Sequence, residues 1–163
     1  MRALTDQQVR RSFVNCSRGE TKTLTLPKGF DGVEWAELEV FGWRDPKAPL
    51  RGYLVLDVDD EPLGIAVRAA DTRMSSRTAA MCQLCQSPLP GDAVSLFTAR
   101  RAGEAGRNGN TVGTYICADL ACSHRVRTEI PPWLRERNPA EVVVERANEL
   151  RERALAFTHA VRR

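Results

Sequence analysis

The sequence of 163 residues has few lysines, few aromatic residues and no long hydrophobic run. A membrane-spanning helix needs about 18 or more consecutive apolar residues, and no segment approaches that length. The N-terminal segment carries Arg2, Asp6, Arg10, Arg11 and Arg18, and no apolar stretch follows these charges, so it does not fit a secretory signal. We therefore expect a cytoplasmic protein that has no membrane partner.

The sequence also lacks the motifs of the common enzyme classes. It contains no glycine-rich phosphate loop, no nucleophile elbow and no paired-carboxylate motif. The acidic cluster between Asp57 and Glu61 is explained more simply by a hairpin turn than by metal binding. Neither His124 nor His159 falls in a recognisable catalytic motif. We expect no enzymatic activity and no small-molecule substrate.

The charge of the chain is nearly balanced, at a formal +3. Only Lys22, Lys28 and Lys47 are lysines, so almost all of the positive charge comes from arginine. Residues 1–75 carry 11 basic and 12 acidic groups, whereas residues 76–163 carry 13 and 9. Arginine in the second half suits phosphate binding. An excess of this size is nevertheless far below the basic footprint of a typical nucleic-acid-binding domain.

Local patterns predict an α+β protein, in which helices flank a small antiparallel sheet that carries a zinc finger. The predicted segments before the last helix are a helix over 5–15, a loop with a short strand over 17–31, a half-buried strand over 33–43, a hairpin over 52–69, a weakly helical connector over 70–81, and strands over 94–99 and 111–117. A glycine-rich stretch separates the last two strands, and we expect it to form a long exposed hairpin tip.

The final segment carries the clearest helix signals. Asn138 is a capping residue, Pro139 occupies the first helical position, and Glu141 follows three residues after the cap. The apolar stripe of this helix comprises Ala140, Val143, Val144, Ala147, Leu150, Ala154, Phe157 and Val161. Arginine and glutamate fill the other faces, which we expect to be solvated. We predict that the helix packs on the sheet and joins an N-terminal part (1–80) and a finger part (81–163) into one unit.

Four of the five cysteines form two close pairs. Cys82 and Cys85 are separated by two residues, and Cys117 and Cys122 by four. Zinc in structural sites takes four tetrahedral ligands, and a Cys-x2-Cys turn directs two thiolates at one ion while a distant second pair closes the site. The order of a knuckle, a hairpin and then ligands at a helix start is that of a treble clef. We therefore predict one structural zinc ion on these four thiolates.

Three alternatives to this ligand set remain open at the level of sequence. The pairs could be unrelated core cysteines, or the first pair could be a thioredoxin-type redox motif, although no βαβ pattern surrounds it. His124 could replace Cys122 as the fourth ligand. Cys16 has no partner and is interpreted as a small, semi-buried apolar residue.

The stretch from Met81 to Arg127 resembles the treble-clef zinc finger of the elongation factor G-binding proteins, which include the FusB-type fusidic-acid-resistance proteins. The residues that carry the resemblance are Cys82, Leu84, Cys85, Phe97, Gly106, Gly109, Val112, Gly113, Tyr115, Ile116, Cys117, Cys122, Val126 and Arg127. The upstream hairpin is similar as well, so the likeness extends over about residues 5–160.

This resemblance implies a protein that binds elongation factor G, the ribosomal translocase, through the finger domain. In FusB-type proteins such binding promotes release of the factor when a drug traps it on the ribosome. Those proteins also carry a helical bundle ahead of the finger domain, where this sequence predicts one short helix. The resemblance therefore leads us to expect a protein that modulates the action of elongation factor G on the ribosome, or its release from it.

Aromatic residues and arginines near the finger form a candidate contact surface, because this mixture is typical of protein interfaces. Its members are Phe97, Arg100, Arg101, Arg107, Tyr115, Arg125 and Arg127. A purely structural interpretation places the two aromatic side chains in the finger core and leaves the arginines solvated. The alternative function is binding of nucleic acid, such as ribosomal RNA, in which arginines hold phosphates and an aromatic ring stacks on a base.

Overall fold

The computed structural model describes residues 1–163 and places seven strands in two antiparallel sheets. The elements are α1 (Asp6–Arg11), α2 (Arg18–Thr23), β1 (Phe41–Asp45), β2 (Ala48–Val58), β3 (Glu61–Ala69), β4 (Ala79–Met81), β5 (Pro88–Pro90), β6 (Val94–Arg100), α3 (Gly103–Arg107), β7 (Thr111–Cys117), α4 (Cys122–Thr128) and α5 (Pro139–Arg162). The main sheet has the order β1-β2-β3-β6-β7, and β4 pairs with β5 alone. The α+β prediction is confirmed. No helix has the length and apolar character needed to cross a bilayer.

The predicted hairpin over 52–69 is confirmed, and it forms the centre of the main sheet. Val58 pairs with Glu61, which leaves a two-residue turn at Asp59 and Asp60. Both turn residues have positive φ, 50° and 63°, which is the signature of a type I′ turn. This turn matches the right-handed twist of the strands, so the acidic cluster is accounted for by hairpin geometry.

The two faces of the main sheet are covered by different layers. One face packs against α5 and the finger, in a cluster of buried residues that extends from Val40 to Val161 and includes four cysteines. The other face carries an aromatic layer with α1, in which Phe13, Trp43 and Tyr53 are buried. The first cluster contains residues of both the N-terminal part (1–80) and the finger part (81–163).

The N-terminal region differs from its prediction in three places. Helix α1 ends at Arg11 and not at residue 15, because Phe13 forms a β-bridge with Gly64. Residues 18–23 form α2 instead of a loop with a strand, because Ser17 and Glu20 cap each other reciprocally through bonds of 3.2 and 2.8 Å. The predicted strand over 33–43 is wrong before Phe41, since Trp35–Glu37 forms a 3-10 turn. Aromatic packing explains this turn, because the ring of Trp35 lies 4.9 Å from that of Phe41.

Two further segments correct the sequence prediction. The connector over 70–81 is not helical, and its last three residues form β4. The glycine-rich tip between β6 and β7 contains the short helix α3. The strands that flank the tip are confirmed and pair from Val94 with Cys117 to Arg100 with Thr111.

Helix α5 begins as predicted, and it packs on the sheet. The side chain of Asn138 accepts a hydrogen bond of 3.0 Å from the amide of Ala140. The buried stripe is rotated by one residue at its start: Val142 is fully buried, whereas Val144 is 61% exposed. The physical reason is that this end of α5 packs against α4 as well as the sheet. The later stripe residues Ala147, Leu150, Ala154, Phe157 and Val161 are buried as predicted.

Candidate metal centre

The structure brings the two cysteine pairs together at one end of the finger. Cys82 and Cys85 lie in the knuckle between β4 and β5. Cys117 is the last residue of β7, and Cys122 is the first residue of α4. Knuckle, β6–β7 hairpin and helix therefore follow one another in the predicted treble-clef order.

The sulfur positions fit one tetrahedral ion. The Sγ atoms of Cys82 and Cys122 are 3.7 Å apart, those of Cys85 and Cys117 are 3.5 Å apart, and all four lie within 4.8 Å of one another. A tetrahedron with zinc–sulfur bonds of about 2.3 Å has edges of about 3.8 Å. All four cysteines are buried, so their thiolates complete a closed coordination shell without a water ligand. His124 is exposed, which removes it as the fourth ligand.

The backbone of the knuckle holds its two sulfurs in register. The amide of Cys85 donates to the Sγ atom of Cys82 at 3.4 Å, and the amide of Gln86 donates to the carbonyl of Cys82 at 2.9 Å. Gln86 takes up a left-handed backbone conformation with φ of 55°, which closes the turn. An amide that donates to a thiolate stabilises its negative charge.

The four thiols shift one another's pKa in different directions. Hydrogen bonding with Cys117 lowers the pKa of both knuckle thiols, Cys82 and Cys85. Contact with Cys117 has the opposite effect on Cys122, and raises its pKa well above the ordinary value. A metal ion requires all four groups as thiolates, so metal binding here releases protons and weakens as the pH falls.

Arg146 on α5 is buried behind the knuckle, where four sulfur ligands would leave net negative charge around a divalent ion. Its guanidinium donates to the carbonyl of Cys85 at 3.3 Å and to the hydroxyl of Ser87 at 2.8 Å, and also to the carbonyls of Val126 and Glu129. Burial lowers the pKa of this guanidinium, and the nearby thiolate of Cys85 opposes that effect. Arg146 therefore ties α5 to both ligand segments.

Two more arginines support the same site. Arg153 donates to the carbonyl of Leu84 inside the knuckle at 3.0 Å. Burial by itself lowers the pKa of the Arg125 guanidinium. The negative charges of the neighbouring Cys117 and Asp119 have a larger effect, so the pKa is raised overall. Sequence analysis missed Arg146 and Arg153, because helical spacing alone assigns them to solvated faces.

The second ligand loop also docks onto the main sheet. Leu120 has a φ of 61° and is buried, with its carbonyl against Gly42. A Cβ atom at Gly42 would lie 2.4 Å from that carbonyl oxygen, and one at Gly52 would lie 2.6 Å from a methyl group of Leu120. The two glycines therefore allow the metal loop to approach β1 and β2 closely.

The aromatic residues of the predicted contact surface separate in the structure. Phe97 is completely buried, with the guanidinium of Arg44 5.1 Å from its ring centroid, so the prediction that it contacts a partner is wrong. Tyr115 is 46% exposed, so the alternative that placed it in the finger core is wrong. A bulky strand residue points inward or outward according to its register, and here the two aromatic side chains take opposite faces.

The arginines of that surface are mostly engaged within the chain. Arg125 pairs with Asp119 and Glu129, at 2.6 and 2.7 Å. Arg127 pairs with Glu37 at 2.9 Å and with Glu39 at 2.6 Å. These ion pairs tie α4 to its own flanking loops and to the N-terminal region.

The hairpin-tip arginines differ in their freedom. Arg100 pairs with Glu20 at 2.6 Å, and Arg101 donates to the carbonyl of Ala160 at 2.7 Å. Arg107 is exposed and has no ion-pair partner within 4 Å. Arg101 therefore holds the end of α5, while Arg107 remains free to meet a partner.

Comparisons with known proteins agree with this geometry. A solved structure of the fusidic acid resistance protein FusC matches with a TM-score of 0.55 and 20% sequence identity, over 76% of this chain and 52% of that chain. The chain thus spans about half the length of FusC, and the likeness shows a shared fold. No curated protein matches the chain. The family model of the FBP C-terminal treble-clef zinc finger matches residues 8–161, so the chain belongs to this zinc-finger family and its four cysteines form the site for one zinc ion.

Proposed function

We propose that this protein binds elongation factor G through its zinc finger and modulates the action of the factor on the ribosome, or its release from it. Family membership and a fold shared with a fusidic acid resistance protein support the proposal. We propose further that the protein acts by binding and not by catalysis. Four thiolates fill a tetrahedral zinc shell, so the metal has no open position for a substrate.

The exposure of Tyr115 beside the metal ligands is the observation that carries this proposal. This residue lies two positions before the ligand Cys117, and its carbonyl accepts a hydrogen bond of 2.8 Å from the amide of Gln83 inside the knuckle. The zinc site thus fixes the backbone under an exposed aromatic side chain. A large side chain on a rigid backbone loses little entropy when it binds, which is typical of an interface anchor.

This anchor lines a depression in which five of the eight lining residues are hydrophobic. Tyr115 lines a cavity of about 130 Å³ together with Met74 and Leu96. Leu96 is its direct cross-strand neighbour and is half-buried. Apolar side chains around an aromatic centre exclude water from the contact, which strengthens a protein interface. We name this surface, made of Met74, Leu96 and Tyr115, the tyrosine patch.

Calorimetric titration of purified elongation factor G into the zinc-loaded protein tests the proposal. We expect Tyr115→Ala to weaken binding by about tenfold or more, in line with a hot-spot aromatic residue. Trp133→Ala is the matched control, because Trp133 is 60% exposed and does not line the patch. The control should bind like the unmodified protein.

Ribosome pelleting addresses the consequence of binding. Elongation factor G locked on ribosomes by fusidic acid should leave the pellet faster when the zinc-loaded protein is added, and Tyr115→Ala should abolish this effect. Absence of any binding to the isolated factor at micromolar concentrations would contradict the proposal. Equal affinity of the Tyr115→Ala variant and the unmodified protein would instead place the contact away from the tyrosine patch.

A further inference from the structure

Three cavities meet at Cys16, on the face of the main sheet opposite the finger. Their volumes are about 250, 240 and 600 Å³. Cys16 lines all three, and Asn15, Glu20 and Arg100 line the first two. The first two cavities, which share four lining residues, form one groove that runs along the sheet to α3, and the third cavity, on the α1–α2 side, adjoins this groove at Cys16.

Three neighbouring strands each place an arginine in the middle of this groove. Arg51 on β2 lies directly opposite Arg68 on β3. Arg68 in turn pairs with Thr98 on β6, so Arg100, two residues further along, lies on the same face. All three side chains line one cavity. Like charges directly opposite each other destabilise a sheet, and an anion bound between them would relieve this repulsion.

The carboxylates at this position do not neutralise the three arginines. Glu20 pairs with Arg100 at 2.6 Å, and Asp71 reaches Arg68 only at 3.6 Å across two exposed side chains. Arg51 has no carboxylate within 4 Å. Burial raises the pKa of the Cys16 thiol to about 11, so this thiol stays neutral and does not repel an anion.

The positive charge continues beyond the three arginines at both ends of the groove. Arg11, Arg18 and Lys22 line the cavity on the α1–α2 side, and Arg107 lines the cavity at α3. These four side chains are exposed and make no ion pair. A single small anion fills one cavity, whereas cations spread over three joined cavities match an extended chain of negative charges.

The groove also lacks the features of a protein-binding surface. The large exposed hydrophobic residues are Met81, Tyr115, Trp133 and Val144, and none of them lines any of the three cavities. A protein interface is usually centred on such anchors. Planar guanidinium groups, by contrast, bind phosphate oxygens with paired hydrogen bonds. Charge and shape therefore favour a phosphodiester backbone over an acidic protein.

We propose that this groove, which we name the arginine groove, binds the phosphodiester backbone of RNA without sequence preference. Arg51 and Arg68 hold phosphates at its centre, and Arg11, Arg18, Lys22 and Arg107 extend the contact along the strand. We expect no sequence preference, because no exposed aromatic side chain lines the groove to stack on bases. The groove is separate from the tyrosine patch, so this proposal does not depend on binding of elongation factor G.

Fluorescence anisotropy with the zinc-loaded full chain and a labelled, mixed-sequence single-stranded RNA of about 16 nucleotides tests the proposal. We expect Arg51→Gln/Arg68→Gln to weaken RNA binding by about tenfold or more. The slope of log affinity against log salt should become shallower by about 1.4, since each phosphate contact on a single strand contributes roughly 0.7. Arg77→Gln/Arg135→Gln removes the same charge from exposed arginines outside the groove and should change RNA affinity little.

Competition and folding measurements complete the test. The Arg51→Gln/Arg68→Gln variant should keep its zinc content and melt at the same or a higher temperature, because the substitutions remove a like-charge pair. It should also keep its affinity for elongation factor G. Equal RNA affinity in the groove and control variants, or no RNA binding at about 100 µM unmodified protein, would overturn the proposal. If polyglutamate displaced the RNA as well as unlabelled RNA does, the groove would be a site for an acidic protein. If millimolar phosphate at constant ionic strength displaced the RNA completely, the groove would be a site for a single ion.

Discussion

The two faces of the main sheet carry different kinds of buried side chain. On one face, six of the ten aromatic residues of the chain form a layer, namely Phe13, Phe30, Trp35, Phe41, Trp43 and Tyr53. Their ring centroids lie 4.8 to 6.4 Å apart in the contacting pairs. On the other face, side chains of the sheet and of α5 that are mostly aliphatic, with Phe97 and Phe157 among them, pack with the four cysteines. The first face is held by apolar contact, and the second depends on a metal.

Because of this difference, the two faces are stabilised by different interactions. Aromatic rings bury large areas and gain from edge and offset contacts, so the aromatic layer needs no ligand to form. The finger residues have short strands, β4 and β5, and a closed loop between Cys117 and Cys122, which the ion holds together. Loss of zinc should therefore loosen the finger face and leave the aromatic face intact.

The largest expected effect is on the finger face, from Cys85→Ser. Structural zinc supplies on the order of 10 kcal/mol of folding free energy in small zinc-finger peptides, and a hydroxyl is a poor replacement for a thiolate ligand. Metal analysis should show loss of stoichiometric zinc, and denaturation should show the finger unfolding first. Cys16→Ser is the matched control, because Cys16 lies outside the cluster. Retention of full zinc content by Cys85→Ser would refute the ligand assignment.

The next effect is on the aromatic face, from Trp43→Ala. Trp43 is buried between Phe41 and Tyr53, and its indole nitrogen donates to the carbonyl of Thr25 at 3.0 Å. Truncation of a buried tryptophan to alanine typically costs about 3–5 kcal/mol of unfolding free energy. Urea titration should show this loss while zinc content stays at one ion per chain. Loss of zinc in this variant would mean that the two faces fold as a single unit.

A smaller effect is expected when Arg146→Met removes the link between α5 and the knuckle. The substitution leaves several buried carbonyl acceptors without their donor, and we expect a loss of roughly 2–4 kcal/mol, since an unsatisfied buried group costs about 1–3 kcal/mol. Zinc should also dissociate faster, which exchange into a chromogenic chelator measures. Arg162→Met, on the exposed end of α5, should change neither quantity. A zinc off-rate unchanged by Arg146→Met would show that this arginine supports only the helix.

The smallest effect concerns acid stability on the aromatic face. Asp45 is buried, which opposes its ionisation, but the amides of Lys47 and Thr25 and the hydroxyl of Tyr53 donate to its carboxylate and lower its pKa overall. The ionised Asp45 carboxylate therefore stabilises the folded protein fully at pH values above its unfolded pKa of about 3.9. This stabilisation is lost as the pH falls through the lower pKa of Asp45 in the folded protein. Asp45→Asn should cost about 1–2 kcal/mol near pH 7 and flatten the pH dependence below 4. An unchanged acid profile would assign that dependence to other carboxylates.

The sequence predicts correctly those features that a few neighbouring residues determine. The spacing of Cys82 and Cys85 predicts a metal knuckle, and Asn138 with Pro139 predicts a helix start; both predictions are confirmed. Helix α2 was missed although Ser17 and Glu20 have the capping-box spacing that identifies it. That spacing is the local signal that marks the start of this helix.

The features that sequence reasoning could not predict depend on tertiary placement. Burial of Arg146 depends on how α5 is rotated against the knuckle, and no local pattern encodes that angle. The juxtaposition of Arg51, Arg68 and Arg100 depends on the register of three strands that are distant in sequence. The opposite orientations of Phe97 and Tyr115 depend on which face of each strand meets α5 and the finger.

Hydrogen exchange of the protein with and without zinc tests most directly the claim that a metal holds one face and aromatic packing the other. After removal of zinc by a chelator, the account predicts rapid exchange of amides in the knuckle, β7 and α4. Amides of α1, β1 and the β2–β3 hairpin should keep their protection, because the aromatic layer stays in place. Equal loss of protection in both regions would contradict the account, and so would full protection of the knuckle in zinc-free protein.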